Sequence, residues 1–197
     1  MLLDDLDRLP GDRPMVVTLG VFDGVHVGHL HVLRTLTAAA SERAAVPVVI
    51  TFDPHPEAVV LGRAPRLLCS VQERVARLEV AGAGIVVVQR FDEAFRHQSA
   101  QAFLDRLRLG RQLRGLVMSP ESAFGHDRQG TIELVRRLAA EEGWTLVEIP
   151  LLEVDGERVS SARIRALLAE GRRDDAQRLL GRPVDDALAA GPWAPAR

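Results

Sequence analysis

The apolar residues of this chain follow two patterns that alternate along its length. Short continuous runs rich in Val and Ile are typical of strands buried in a parallel sheet, and the sequence predicts such strands at 15–21, 46–52, 84–89, 115–118 and 145–149. Elsewhere apolar residues recur with helical spacing, which predicts helices at 29–42, 71–81, 100–109, 131–142, 162–170 and 173–180. The alternation predicts an α/β fold, a Rossmann-like open parallel sheet with helices on both faces.

The length of 197 residues fits a single domain, which we expect to span residues 1–183. The last segment, 184–197, reads VDDALAAGPWAPAR, and its Ala and Pro content predicts a flexible C-terminal tail. The acidic opening MLLDDLDRLPGDRP contains no long apolar stretch. It therefore predicts neither a signal peptide nor a transmembrane segment.

Composition argues against some partners and favours one compartment. With 25 Lys and Arg against 27 Asp and Glu, the formal net charge is -2, which gives no electrostatic reason to expect nucleic acid or a membrane surface as a partner. The single cysteine, Cys69, cannot form an internal disulfide and fits a reducing cytoplasm, where we expect the protein to be located. Tyr is absent and aromatic residues make up 4% of the chain, so surfaces for ring stacking are expected to be scarce.

Three of the six histidines lie in the segment GVFDGVHVGHLHVL, where the first predicted strand turns into the first predicted helix. Ligands of open parallel sheets bind at the carboxyl ends of the strands, and a helix that begins there attracts anions. At spacing i and i+3, His26 and His29 share one side of the helix, whereas His31 is expected to point elsewhere. The segment therefore predicts an anion site built from two imidazoles and backbone amides.

Gly24 and Gly28 fit this interpretation, because glycine permits a sharp turn and lets a phosphate approach the backbone. The segment matches neither a Walker loop nor a dinucleotide fingerprint. A zinc site is a weaker alternative, because no HExxH spacing and no cysteine ligand accompany the histidines. A helix that carries incidental, exposed histidines is the other alternative that the segment alone leaves open.

The residues at 26–29 form an HxGH motif that resembles the signature of the nucleotidyltransferase superfamily, and the surrounding GVFDGVHVGH is similar to the FAD synthetases. Further blocks occur in the order of that family: TFDPHP at 51–56, FGHDRQG at 124–130, RVSSARIRALL at 158–168 and LLGRP at 179–183. An ordered set of blocks is more specific than one short motif. On these blocks the chain is identified as a member of the FAD synthetase family and is similar to the FMN adenylyltransferase part of the bacterial bifunctional riboflavin kinase/FAD synthetases.

The resemblance implies FMN adenylyltransferase activity, in which the FMN phosphate attacks the α-phosphorus of ATP and pyrophosphate leaves. The expected small-molecule partners are ATP and FMN, and the expected cofactor is Mg²⁺ bound with ATP. A phosphate monoester is already charged near neutral pH, so this nucleophile needs no strong general base. The resemblance implies catalytic roles for His26, His29, Arg165 and Ser161, and nucleotide contacts for Gly20, Phe22, Gly24, Gly28, Arg158 and Ser160.

The resemblance also implies a flavin or acceptor side formed by two other segments. The residues implied there are Phe52, Asp53, His55, Pro56, Glu121, Phe124 and Arg128. In this interpretation Phe52 faces the isoalloxazine ring, and the alternative for it is a plain core position. Asp53 bonds the ribityl chain or a metal-bound water. Metal ligands supplied by the protein are left unspecified.

Several nearby polar residues have simpler interpretations. Ser160 and Ser161 precede a predicted helix and are typical N-caps, which is compatible with phosphate binding. Arg163 is interpreted as a residue on a solvated face. His97 and His126 have no companion motif and are expected at the surface.

The chain departs from the family pattern at three points. Ala162 stands where the family has Thr, and the hydrogen bond to a phosphate that is lost is worth about 1.5 to 3 kcal/mol. Within 119–123, Ser122 replaces an aromatic residue, Glu121 an Asp or Asn, and Ser119 a Gly. The acceptor pocket is therefore expected to have lost a stacking surface that no nearby residue restores. The sequence also ends soon after LLGRP, where bifunctional relatives continue into a riboflavin kinase domain.

These departures leave two alternatives beside an FMN adenylyltransferase that receives its FMN from a separate source. One alternative is a nucleotidyltransferase of the same fold that acts on another phosphorylated acceptor. The other is a catalytically weakened protein that binds flavin or nucleotide. The sequence does not specify the oligomeric state.

Overall fold

The computed structural model describes residues 1–191 and residue 193, and its centre is a six-stranded sheet. The strands are β1 Leu2–Leu3, β2 Met15–Leu19, β3 Val46–Asp53, β4 Ile85–Arg90, β5 Leu113–Met118 and β6 Thr145–Glu148. All neighbouring strands run parallel, in the spatial order β1-β4-β3-β2-β5-β6. A separate antiparallel hairpin pairs β7 Glu153–Val154 with β8 Glu157–Arg158.

Helices cover both faces of the sheet, which confirms the predicted Rossmann-like α/β fold. They are α1 Val27–Glu42, α2 Pro56–Val60, α3 Val71–Val80, α4 Glu93–Arg96, α5 Ala100–Arg108, α6 Ile132–Glu142, α7 Ser161–Ala169, α8 Arg173–Leu180 and α9 Asp186–Ala189. Successive strand residues point to opposite faces, so Val17 packs in a core with α5 and α6, and Val16 packs in a second core with α1 and α3. Within the described residues, no helix is long and apolar enough to cross a bilayer.

The strand order reverses between β2 and β5. From β2 the chain first adds β3 and β4 on one side, and it then crosses over to add β5 and β6 on the other side. The connections that leave two such strands diverge, and ligands bind in the crevice beyond their carboxyl ends. Because β2 ends at Leu19 and β5 ends at Met118, the crevice is expected directly after these residues.

The C-terminal helices form a third apolar cluster beside the sheet. Ile164 of α7 and Leu180 of α8 are fully buried and pack with Leu68 from the loop that precedes α3. Val27, the first residue of α1, contacts the same cluster. This packing brings the start of α7 to the turn between β2 and α1.

Periodicity predicts the long elements closely and omits the short ones. The helix α1 begins at Val27 rather than at residue 29, because His26 Nδ1 accepts the His29 N–H at 3.3 Å and caps the helix. The elements that the pattern misses are β1, α2, α4, α9 and the β7–β8 hairpin, whose helices and strands of two to five residues are too short to carry a periodic signal.

The segment predicted to be a flexible tail lies partly within the described residues. Val184 is buried, α9 follows it, and Trp193 packs against the C-terminal cluster. Positions 192 and 194–197 of the predicted tail lie outside the described residues. The domain boundary at residue 183 and the flexibility of the tail stay predictions.

Candidate active site

The turn between β2 and α1 holds two histidines in stacked contact. Because His26 caps α1 and His29 lies in its first turn, their ring centroids are 3.6 Å apart with an interplanar angle of 15°. The His29 ring also contacts Phe22 at a centroid distance of 5.0 Å. The structure thus brings His26 and His29 together as their spacing predicts. His31 also lines the cavity that contains these two residues, but among the described ring contacts it stacks on neither of them.

The backbone of this turn requires glycine at position 24, and two residues near that glycine have unfavourable φ values. Gly24 has a φ of +82°, and a Cβ at this position would lie 2.9 Å from a neighbouring side chain. Phe22 and Val25 have φ values of 53° and 42°, a region that is unfavourable for bulky and β-branched residues. At Gly28 a Cβ would approach the His26 ring to 3.2 Å, so glycine leaves room for the imidazole there.

Both imidazoles are neutral near pH 7. His26 is 4% exposed, and burial lowers its pKa to about 4, with a smaller contribution from the positive charges of Arg158 and Arg165. Burial also lowers the pKa of His29 well below its usual value, and the charge of Arg74 adds to this effect. Since His26 Nδ1 accepts the His29 amide, Nε2 of His26 carries the proton. The two rings therefore offer N–H donors to an anion, not positive charges.

The low pKa of His26 predicts a fold that loses stability in mild acid. The native pKa of about 4 is below the ordinary value of 6.5, so between these values the unfolded chain binds more protons and stability falls as pH falls. Between pH 7 and pH 5 this loss is about 2 kcal/mol. The His26→Asn variant keeps a capping acceptor and should lack this component when unfolding by urea is measured at both pH values. A pH dependence identical to that of the wild type would contradict the assignment.

A buried carboxylate joins the histidine turn to α7. Asp23 is 2% exposed; its Oδ2 accepts a hydrogen bond from Arg165 Nη1 at 2.7 Å and its Oδ1 accepts from the Leu68 N–H at 2.8 Å. The Ser161 hydroxyl donates to the main-chain oxygen of Asp23 at 2.9 Å. Burial raises the pKa of Asp23, and the Leu68 amide and Arg165 oppose that rise. Asp23 was not predicted as a site residue, although it lies inside the GVFDGVHVGH block.

The start of α7 is fixed by side chains of its own first turn. Ser160 is the N-cap, and its Oγ accepts the Arg163 N–H at 3.2 Å. The Arg163 side chain is only 19% exposed and donates to the main-chain oxygens of Val154 at 3.0 Å and Glu157 at 2.9 Å. The interpretation of Arg163 as a solvated residue is therefore wrong. It holds the β7–β8 hairpin against α7.

A cavity of about 800 Å³ lies beside the switch point of the sheet. Its lining includes five of the six phenylalanines, which are Phe52, Phe91, Phe95, Phe103 and Phe124. The rings form a contiguous group with centroid distances of 5.2 to 6.2 Å. The expectation that stacking surfaces are scarce, and that nothing restores the one lost at 119–123, is wrong, because the fold gathers rings from distant segments.

A second cavity of about 250 Å³ contains the histidines. His26, Gly28, His29, Ser160 and Ser161 lie on its lining, together with the apolar residues that follow β6. The two cavities share six lining residues at the ends of β2 and β5 and on the hairpin: Leu19, Gly20, Met118, Ser119, Ser122 and Arg158. They therefore meet at the switch point, where ligands of this fold class bind.

Most of the predicted site residues line one of the two cavities. Those on the large cavity are Gly20, Phe52, Pro56, Glu121, Phe124, Arg128 and Arg158, and those on the small cavity are Gly20, Phe22, His26, Gly28, His29, Arg158, Ser160 and Ser161. Phe52 is 8% exposed and belongs to the core, which confirms the core interpretation; it also lines the large cavity, and its contact with a flavin stays a prediction. Of the two remaining histidines, His126 lies on the rim of the large cavity and His97 is exposed.

The linings do not include four of the predicted residues, which are Gly24, Asp53, His55 and Arg165. Asp53 is exposed at the end of β3, and its main-chain oxygen accepts the Phe91 N–H at 2.9 Å. His55 caps α2 by accepting the Glu57 N–H at 3.2 Å, and burial lowers its pKa. The Nδ1 atom of His55 is therefore engaged in a hydrogen bond within the protein.

Arg158 forms an ion pair with Glu121 across the junction of the cavities. Both side chains are about half exposed, and Arg128 donates to the main-chain oxygen of Glu121 at 3.2 Å. The loop after β5 is thereby tied to the β7–β8 hairpin. Because exposed ion pairs are weak, an incoming phosphate can displace Glu121 from Arg158 at small cost.

Among residues 1–191 and 193, no three His, Cys, Asp or Glu side chains converge on one position that would hold a metal ion. The carboxylates of Asp23 and Glu121 are each paired with an arginine. Mg²⁺ commonly binds through substrate phosphates, water and at most one or two carboxylates. The donor set of this site suits a Mg²⁺ ion that arrives with nucleotide phosphates.

The comparison with family models matches residues 9–163 to a family described as FAD synthetase. The chain belongs to the FAD synthetase family. Its curated relatives include the bifunctional riboflavin kinase/FMN adenylyltransferase of Pseudomonas fluorescens, 33% identical over 175 residues, which cover 88% of this chain and 56% of the relative. A Geobacillus thermodenitrificans protein whose name gives the same two activities is 34% identical over 176 residues, which cover 89% of this chain and 93% of the relative. The chain thus spans about half the length of the first relative and nearly all of the second.

Solved structures agree with the fold of this FAD synthetase family member. A Streptococcus pneumoniae protein described as a macrolide-efflux protein superposes with a TM-score of 0.82 at 25% identity, covering 93% of this chain and 60% of that one. A pantoate-beta-alanine ligase from Francisella tularensis superposes with a TM-score of 0.55 at 11% identity, covering 90% of this chain and 78% of that one. The second likeness concerns the fold alone.

Proposed function

We propose that this chain is an FMN adenylyltransferase, which transfers AMP from ATP to FMN and releases pyrophosphate. The observation that best supports this proposal is the meeting of two different cavities at the switch point. Paired imidazole donors at a helix N-terminus suit a triphosphate, and a cavity lined by five phenylalanines suits a tricyclic ring. Family membership points to the same reaction, and the single cysteine favours the cytoplasm as its location.

The reaction needs the two substrates to meet where Gly20 and Arg158 line both cavities. One oxygen of the FMN phosphate attacks the α-phosphorus of ATP and forms the new O–P bond. The bond from that phosphorus to the α,β-bridging oxygen breaks, and its electron pair leaves with pyrophosphate. The nucleophile is already anionic, so the site must align the groups and stabilise charge.

The residues of the small cavity supply this stabilisation. His26 and His29 donate N–H bonds from neutral rings, and the first turn of α1 adds amides and the positive end of its dipole. Arg158 contributes a positive charge after it releases Glu121. Asp23 holds Arg165 through its carboxylate and Ser161 through its main-chain oxygen, and Ser161 lines the cavity proposed for these phosphates. Mg²⁺ bound with ATP neutralises part of the phosphate charge when present.

Isothermal titration with FMN, in the presence of Mg²⁺ and a non-hydrolysable ATP analogue, tests the proposal when followed by an assay of FAD formation from ATP. Tight FMN binding with turnover is the expected result. Binding of the ATP analogue without FMN would favour a nucleotidyltransferase for another phosphorylated acceptor. Binding of both ligands without turnover would favour the weakened binding protein.

Restoring the missing hydroxyl at Ala162 is expected to raise turnover. Ala162 is exposed in the first turn of α7, directly after Ser161. An added hydrogen bond to a phosphate oxygen in the Ala162→Thr variant should raise the kcat of FAD formation by about tenfold to a hundredfold. The Ala162→Val variant adds similar bulk without a hydroxyl and serves as the matched control. Equal kcat values in the two variants would mean that the hydroxyl has no phosphate partner here.

A further inference from the structure

Arg74 of α3 is a buried cation beneath the carboxyl ends of two central strands. The residue is 3% exposed. Its Nη1 donates to the main-chain oxygen of Val21 at 2.8 Å, and its Nη2 donates to that of Phe52 at 3.0 Å. A single guanidinium therefore joins the segment that follows β2 to the carboxyl end of β3.

The two carbonyls that Arg74 binds belong to the wall of the large cavity. Val21 and Phe52 both line that cavity, whereas the guanidinium lies behind them. The Thr51 hydroxyl also donates to the Val21 oxygen at 2.9 Å, so this carbonyl is held from two sides. Arg74 thus influences the site in two ways. It holds the backbone of the cavity wall in place, and its positive charge acts on His29, whose pKa it helps to lower.

Among the described residues, the charge of Arg74 has no ion-pair partner in direct contact, and the carboxylates of Asp23 and Asp53 act on it only from a greater distance. Two other arginines of the site are each paired with a carboxylate, Arg165 with Asp23 and Arg158 with Glu121. In the part of the chain that the structure describes, no carboxylate oxygen lies within 4.0 Å of the Arg74 nitrogens, and its buried Nε has no hydrogen-bond partner. A buried cation costs free energy unless an opposite charge compensates it.

We propose that Arg74 is a positioning residue whose permanent positive charge is compensated by the anionic substrates. This inference rests on the proposed function, because that function brings the phosphates of ATP and FMN to the neighbouring junction. The forked guanidinium keeps the ends of β2 and β3 at a fixed spacing, and its field favours the phosphates that bind beyond them. Neither role requires contact between Arg74 and a substrate.

Two substitutions of Arg74 distinguish its role in positioning the backbone from the effect of its charge on substrate binding. Arg74→Lys keeps the charge but loses the rigid fork, and Arg74→Gln loses both the charge and the fork. Both variants are expected to unfold at lower urea concentration than the wild type. In isothermal titration, Arg74→Lys should bind the ATP analogue within about threefold of the wild type, whereas Arg74→Gln should bind it about tenfold more weakly.

Arg111 offers a matched control away from the site. Its guanidinium donates to the main-chain oxygens of Leu9 at 2.9 Å and Arg106 at 2.9 Å, so Arg111→Gln should lower stability without changing nucleotide affinity. Equal nucleotide affinities of Arg74→Lys and Arg74→Gln would overturn the role of charge, and unchanged stability of both would overturn the role in positioning. If Arg74→Gln does not fold, a tenfold loss of affinity in Arg74→Lys overturns the role of charge.

Failure of the proposed function is distinguishable from failure of this inference. A wild-type protein that binds neither the ATP analogue nor FMN would contradict the proposed function, and the role of the Arg74 charge would fall with it. The stability of the Arg74 variants relative to Arg111→Gln would still decide the positioning role. Normal wild-type binding with unchanged Arg74→Gln affinity would overturn only the role of charge.

Discussion

Replacing His29 by Asn is expected to lower the kcat of FAD formation by about 100- to 1,000-fold. In other active sites, removing one preorganised hydrogen-bond donor that points at the charge developing in the transition state lowers kcat by roughly this factor. His29 stacks on His26 at 3.6 Å and lines the same cavity, so its ring is positioned to donate an N–H to a ligand bound there. Steady-state kinetics should show the loss in kcat rather than in the KM for FMN, whose ring binds elsewhere.

Two further variants test the division of roles among the histidines. His26→Asn is expected to match the loss of His29→Asn, because His26 lines the same cavity and Asn preserves the helix cap. His31 lines the cavity without capping the helix or stacking on the pair, so His31→Asn should change kcat by less than about fivefold. Equal losses for His29→Asn and His31→Asn in folded proteins would contradict this division.

The pairing of the histidines follows from sequence, but their charge state does not. Spacing i, i+3 at a helix start predicts that His26 and His29 meet, since helix geometry is local. Their neutrality depends on burial and on Arg158, Arg165 and Arg74, which come from distant segments. For the same reason the sequence does not reveal that Asp23 pairs with a residue 142 positions away.

The central strands were predictable from their continuous apolar runs, and the long helices because each has enough residues to show a period. The position of the site could not be predicted without the strand order. That order places the ends of β2 and β5 side by side, and the two cavities meet there. Motif order alone associates Gly20 and Arg158 with one site. Only the fold explains that both residues line the histidine cavity and the aromatic cavity at once.

The aromatic cavity shows how composition misleads when rings are few. Six phenylalanines in 197 residues suggest scarce stacking surfaces, yet five of them surround one space. Phe91 precedes a four-residue helix that no periodicity predicts, Phe95 lies within it, and no motif points to either residue. The departures at 119–123 therefore count less against a flavin acceptor than the sequence suggests.

Replacing Phe95 by Leu is expected to raise the KM for FMN about tenfold and to leave the KM for ATP unchanged. Phe95 contacts Phe52 at 5.8 Å, Phe91 at 5.6 Å and Phe103 at 6.2 Å, so it lies at the centre of the ring group. Stacking of an aromatic side chain on a planar ring is worth about 1 to 3 kcal/mol, and Leu keeps much of the apolar bulk while removing the π-face. Titration calorimetry with FMN provides the corresponding affinity.

Trp144→Leu is the matched control for this substitution. Trp144 is a buried aromatic residue in the same core cluster and lies apart from both cavities, so its replacement should lower stability without affecting FMN. Similar FMN losses in Phe95→Leu and Trp144→Leu would indicate a global effect, and unchanged FMN affinity in folded Phe95→Leu would favour a different acceptor. Since His29 and Phe95 serve separate cavities, their effects on kcat/KM should multiply in the double variant. A clear departure from that product would mean that the acceptor ring and the triphosphate are not bound as two independent parts.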